Sequence, residues 1–137
     1  MIELSPATPP TPDGGPTGLL LSRDLIFTSK ITSTARALGR RVLVAGNSAL
    51  AASMIEQWSP KLVFVDLAAG DLVAPEALIA FRALAPETPF VAFGSHVDTA
   101  SLDAATAAGC EEVMPRSKFT NVLPDLIRRY LGESVPG

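Results

Sequence analysis

Short apolar runs recur along the chain at residues 19–21, 42–45, 62–65 and 90–93, with a weaker one at 112–114. Each of the first four is apolar at successive positions rather than alternate ones. That pattern suits strands buried on both faces, as in a parallel sheet. Between the runs lie segments with helical spacing and local start and stop signals. Asp24 can cap a helix whose Phe27, Ile31, Ala35 and Leu38 share a face, with Gly39 just past its end. Asn47 can cap the next, in which Leu50, Met54 and Trp58 recur at i+4 and Pro60 ends the pattern. Pro75 suits the first turn of a third helix carrying Leu78, Arg82 and Leu84. Asp98 can cap a short alanine-rich fourth helix that stops at Gly109. The fifth carries Val122, Leu123, Leu126, Ile127, Tyr130 and Leu131 as one stripe, and Pro124 requires its own position to be in the first turn.

Five strands alternating with five helices predict an α/β, doubly wound domain. Right-handed crossovers place helices on both faces of a five-stranded parallel sheet. The common solution for five such units is strand order 2-1-3-4-5, with the ligand crevice at the carboxyl ends of strands 1 and 3. The expected folded unit is 18–131. Residues 1–17 contain five prolines and two glycines, so they read as a disordered tail, partly polyproline II. Pro9, Pro10 and Pro12 could serve as a proline-dock ligand, but a plain solubilising tail is the preferred reading. Residues 132–137 read as a frayed C-terminus.

Composition narrows the function classes. With 11 basic and 14 acidic residues, the net charge is −3, which gives no field attracting nucleic acid or an anionic membrane. No window approaches a membrane span. A single cysteine, Cys110, cannot form an internal disulfide, and cytoplasmic location is the expectation. There is no glycine-rich nucleotide fingerprint and no phosphate loop. His96 is the only histidine, which offers no metal site and no nucleophile–acid pair. Cys110 and Trp58 read as packing residues. No cofactor and no catalytic residue are expected.

Chemistry in such folds sits just past the strand carboxyl ends. Those positions are Ser22, Arg23 and Asp24 after strand 1, Asp66 at the end of strand 3, Gly94 and Ser95 after strand 4, and Arg116 after strand 5. With KLVFVD, PFVAFGS and AGCEEVMPRSKF in this order, residues 18–131 resemble the receiver domain of bacterial response regulators, a flavodoxin-like fold. The resemblance implies that Asp66 matches the phospho-accepting aspartate. It also implies departures. Ser22 and Arg23 stand where the family carries two acids for Mg²⁺. Gly94 stands for the strand-4 hydroxyl residue, with Ser95 one place off. Arg116 stands for the strand-5 lysine, Ser117 for the proline after it and Val113 for the switch aromatic. Asp24 is one position late for a metal ligand and suits a helix cap.

Mg²⁺ needs oxygen donors in octahedral geometry, which a serine and an arginine do not replace. The implied function is therefore a stand-alone, degenerate receiver (a pseudo-receiver) working through protein–protein contacts, not an enzyme. Two alternatives stay open at this point: a phosphorylatable regulator in a phosphorelay, and a small ligand-binding protein on the same fold. Arg23 or Arg116 is expected beside Asp66. The partner is an unknown signalling protein or a second copy in a homodimer. The resemblance points to the face of helix 4, strand 5 and helix 5, where Arg128, Arg129 and Tyr130 are the candidate contacts.

Overall fold

The computed structural model describes residues 16–132; the expectations for the proline-rich tail and the last residues fall mostly outside them. Five parallel strands form one sheet in the order β2-β1-β3-β4-β5. They are β1 (Thr17–Leu21), β2 (Arg41–Ala45), β3 (Leu62–Asp66), β4 (Phe90–Gly94) and β5 (Glu112–Pro115). The helices are α1 (Leu25–Ala37), α2 (Ser48–Trp58), α3 (Pro75–Leu84), α4 (Thr99–Ala107) and α5 (Arg116–Leu131). This is the doubly wound architecture that the run spacing predicts.

Alternation along each strand divides the core between the two faces. Leu19, Leu21, Val63, Val65, Phe90 and Ala92 point to one layer, closed by α2, α3 and α4. Leu20, Leu62, Phe64, Val91 and Phe93 point to the other, closed by α1 and α5. All five residues of β1, β3 and β4 are buried, so the apolar runs carry no alternating polar positions. The second layer is aromatic at its centre. Phe119 stacks on Phe93 with centroids 4.1 Å apart and meets Phe64 edge-on at 5.3 Å.

The caps at Asp24, Asn47 and Asp98 form as expected, each accepting an amide three residues on. Other details differ from the sequence reading. Thr17, placed in the tail, is the buried first residue of β1, and its carbonyl accepts from the Lys61 amide at 2.8 Å. Gly132, placed in the frayed end, ends α5 with its amide on the Arg128 carbonyl, and the Gly132 carbonyl accepts from Arg40 Nε at 3.3 Å. The buried face of α2 is Ala51 and Ile55; Leu50 is exposed, because the stripe is offset by one residue from the large side chains. In α3 the buried pair is Leu78 and Phe81, and Leu84 is exposed. A 3-10 segment, Leu67–Val73, lies between β3 and α3.

Pro124 is not in a first turn. Helix α5 starts immediately after β5 and runs through the proline. Proline there removes one amide donor and crowds the preceding turn. Buried Phe119, Leu123, Leu126, Ile127 and Leu131 on both sides of it keep the helix continuous, so tertiary packing overrides the local preference.

Two stability predictions follow from this packing. Phe119→Ala removes the ring that touches three others, and chemical denaturation should show a loss of about 3–5 kcal/mol; a loss under about 1 kcal/mol is incompatible with this core. Pro124→Ala restores a helix amide, and should stabilise by about 2 kcal/mol after the looser unfolded chain offsets part of the gain. A destabilised Pro124→Ala variant contradicts a continuous α5.

Candidate functional site

The central strand β3 ends on Asp66, whose carboxylate is 1% exposed. A buried carboxylate needs partners on both oxygens, because each lost water contact is costly. Oδ2 accepts from Ser22 Oγ at 2.8 Å. Oδ1 accepts from the Ala68 amide at 3.0 Å, which starts the 3-10 segment, and from Arg116 Nη2 at 3.2 Å. Ser22 is itself buried, and its oxygen accepts the Asp24 amide at 3.1 Å. The Asp24 carboxylate is used as the α1 cap, accepting from the Phe27 amide. One hydroxyl thus joins the end of β3 to the start of α1.

Arg116 reaches Asp66 because it is the first residue of α5, not a loop residue. Its guanidinium carbon lies 5.1 Å from the Phe27 ring centre and 5.9 Å from that of Phe93. A guanidinium over aromatic faces gains cation–π energy. Its Nε is buried with no hydrogen-bond partner among the described residues.

Arg23, the other cation expected beside Asp66, points elsewhere. Its Nε donates to the Gly46 carbonyl at 2.9 Å, and its Nη1 to the Ala69 carbonyl at 3.1 Å and to Asp71 at 3.0 Å. It staples the end of β1 to the loop after β2 and to the 3-10 segment. Gly94 is buried, and a Cβ there would meet Leu67 Cβ at 3.2 Å, so a side chain at the end of β4 requires Leu67 to give way by a few tenths of an ångström. Ser95 is exposed and its hydroxyl accepts the Val97 amide within its own turn. A cavity of about 370 Å³ opens beside Arg116, walled by Gly94, Ser95, His96, Asp98 and Ser117. Hydrogen bonds from the Ser101 hydroxyl and amide hold the Asp98 carboxyl below its ordinary range.

The donor set at the crevice does not fit Mg²⁺. Ser22 donates its proton to Asp66, Arg23 is a cation, the Asp24 carboxylate caps α1, and a guanidinium already sits on Asp66. Among the described residues there is no group of three His, Cys, Asp or Glu side chains that could hold a metal. Cys110 is buried, and burial pushes its thiol up to about 11, which keeps it un-ionised near neutrality.

At the candidate partner face, Arg129 pairs with Glu112 and lies over the Tyr130 ring, and the Tyr130 hydroxyl also donates to Glu112. These two residues tie α5 to β5 rather than standing free. Arg128 is exposed and meets Asp125 one turn back. Sequence reasoning missed the double role of Ser22, the Leu67 plug over Gly94 and the Phe27–Phe93 platform. No local signal in the chain links these pairs, which are distant in sequence.

The Asp66–Arg116 contact is measurable. A double-mutant cycle with Asp66→Asn and Arg116→Gln should give a coupling energy of about 0.5 kcal/mol or more, since contacting groups fail additivity on that scale. Additive single effects would show that the guanidinium is not held by this carboxylate.

No protein-family model matches the sequence, and no curated protein matches it significantly. Solved structures do match. A response regulator from Thermotoga maritima superposes with a TM-score of 0.71 at 19% identity, over 85% of this chain and 97% of that one. The receiver domain of a sensor histidine kinase from Pseudomonas aeruginosa, with a magnesium ion coordinated in its active-site cleft, gives 0.73 at 19%, over 87% and 99%. A putative response regulator from Chloroflexus aurantiacus gives 0.74 at 16%, again over 87% and 99%. At these identities the likeness is one of architecture, and the fold of this chain is that of a CheY-like response-regulator receiver domain.

Proposed function

We propose that this domain is a pseudo-receiver: a signal-transduction module on the receiver fold that acts through protein–protein contacts, in the cytoplasm, without metal or phosphoryl transfer. The observation that carries the reading is the occupation of both Asp66 oxygens by the chain itself, Ser22 on one and Arg116 on the other. Phosphoryl transfer to a carboxylate depends on cations that neutralise developing charge on the transferred oxygens. Here the cation that reaches Asp66, Arg116, is already engaged with the ground state of the acceptor. A guanidinium also supplies a single charge where Mg²⁺ supplies two.

The geometry supports a crevice held in one arrangement. Asp66 binds the start of the 3-10 segment through Ala68, the start of α1 through Ser22 and the start of α5 through Arg116. Arg23 adds a second tie from β1 to the same segment. A signalling domain with such a site keeps a constant surface, and its output depends on which partner is present. No helix among the described residues is long and apolar enough to cross a membrane.

The test is titration with Mg²⁺ and beryllofluoride, followed by amide NMR. We expect no saturable shifts around Asp66 at millimolar Mg²⁺. Saturable binding with shifts centred on Asp66, Ala68 and Arg116 would establish a phosphorylatable site and end the pseudo-receiver reading.

A further inference from the structure

The cavity beside Arg116 plays no part in the ties that close the crevice. Its volume of about 370 Å³ lies in the range of small-molecule sites, about 300–1,000 Å³. Gly94 walls it with backbone alone, so β4 sends no side chain into the space. The polar groups around it are sorted by charge.

The α5 wall carries Arg116 and Ser117. Asp66 takes one N–H of the Arg116 guanidinium, and among the described residues no other group accepts from it. The arginine side chain is still 38% exposed, so a ligand can reach it. The Ser117 hydroxyl is exposed and has no hydrogen-bond partner among the described residues. Helix α5 begins at this wall with no side chain accepting its first amides. A cation, a free hydroxyl and helix amides together suit an anion, best a planar carboxylate.

The α4 wall carries the opposite charge. The exposed Asp98 carboxylate accepts from the Ser101 amide and hydroxyl, bonds that favour its ionised form. Among the described residues it pairs with no cation. Ser95 stands beside it with a hydroxyl that accepts the Val97 amide and keeps its own proton to donate. This arrangement selects by repulsion as well as attraction. Inorganic phosphate brings two negative charges toward Asp98, and a simple amine brings a positive one toward Arg116. A molecule that carries both charges satisfies both walls.

We propose that this cavity binds a small amino carboxylate, with its carboxylate on Arg116 and Ser117 and its ammonium on Asp98. The bound molecule bridges the start of α4 to the start of α5 without metal and without a covalent step. It gives the domain an input other than phosphorylation, and in that role the proposal rests on the pseudo-receiver reading.

The probes are L-alanine, β-alanine and γ-aminobutyrate, which space the two charges differently. Acetate, ethylamine and inorganic phosphate are the controls, and each is titrated into the full chain without Mg²⁺. Calorimetry should show saturable binding of at least one amino carboxylate with a Kd of about 1 mM or tighter. The three controls should bind tenfold or more weakly. Amide shifts should centre on residues 94–98 and 115–118, the two walls. Asp98→Asn keeps an oxygen to cap α4 but removes the charge, and should weaken binding tenfold or more. Ser95→Trp fills the cavity from an exposed position and should do the same, with circular dichroism unchanged in both variants. No saturable binding of any probe at millimolar concentration, acetate or phosphate binding as tightly as the amino carboxylates, or an Asp98→Asn variant that binds normally would each overturn the proposal. A parallel titration with Mg²⁺ and beryllofluoride separates it from the reading it rests on. Silence in both titrations ends the amino-carboxylate site and leaves the pseudo-receiver standing. A response at Asp66 to Mg²⁺ and beryllofluoride ends the pseudo-receiver reading, while the metal-free titration decides the amino-carboxylate site by itself.

Discussion

The central strand cannot end in an unbalanced charge. β3 is flanked by β1 and β4, covered on both faces, and terminates on a carboxylate with almost no access to water. Everything at that end of the sheet is arranged around satisfying Asp66. Its two oxygens collect a hydroxyl, an amide and a guanidinium, and each donor begins or precedes a different element. Removing any one of them leaves a buried acceptor short of partners, which is the expensive case for a hydrogen bond. The start of α1, the 3-10 segment and the start of α5 are therefore set relative to one another through a single side chain.

Arg116 also joins that polar cluster to the apolar core. Its guanidinium lies against Phe27 and Phe93, and Phe93 stacks on Phe119, the first buried residue of α5. The arginine is thus held from below by aromatic faces and from the side by a carboxylate. A lysine has neither the planar group for stacking nor the fork for sharing donors, so the two cations are not equivalent at this place. Leu67 completes the arrangement by filling the space over Gly94, where any larger residue would force it to move.

The surface is uneven in a related way. Three acids of the second half of the chain are used in ion pairs, Glu111 with Arg82, Glu112 with Arg129 and Asp125 with Arg128. The first helix has cations and no acids of its own. A domain with a small net negative charge therefore presents one helix with cations and no acid, which begins with an exposed apolar pair, Leu25 and Ile26.

Periodicity determined most of the architecture without help from tertiary structure. Runs apolar at every position required strands covered on both faces, and Asp24, Asn47 and Asp98 marked helix starts through a local bond that reaches only three residues. Asp66 was also legible, as a lone acid closing an apolar run. Features that depend on distant partners were decided only in three dimensions. Which of two arginines met Asp66 turned on α5 starting at Arg116 itself and on Arg23 finding Asp71 and two carbonyls. Local chemistry placed Pro124 in a first turn, yet packing on either side carried the helix through it. Thr17 looked like tail because its own neighbours are proline and glycine, and pairing with β2 and a bond from Lys61 drew it into the sheet. Caps and apolar periods act between near neighbours and can be read along the chain, whereas a side chain with several reachable partners is assigned only when the fold brings one of them within bonding distance.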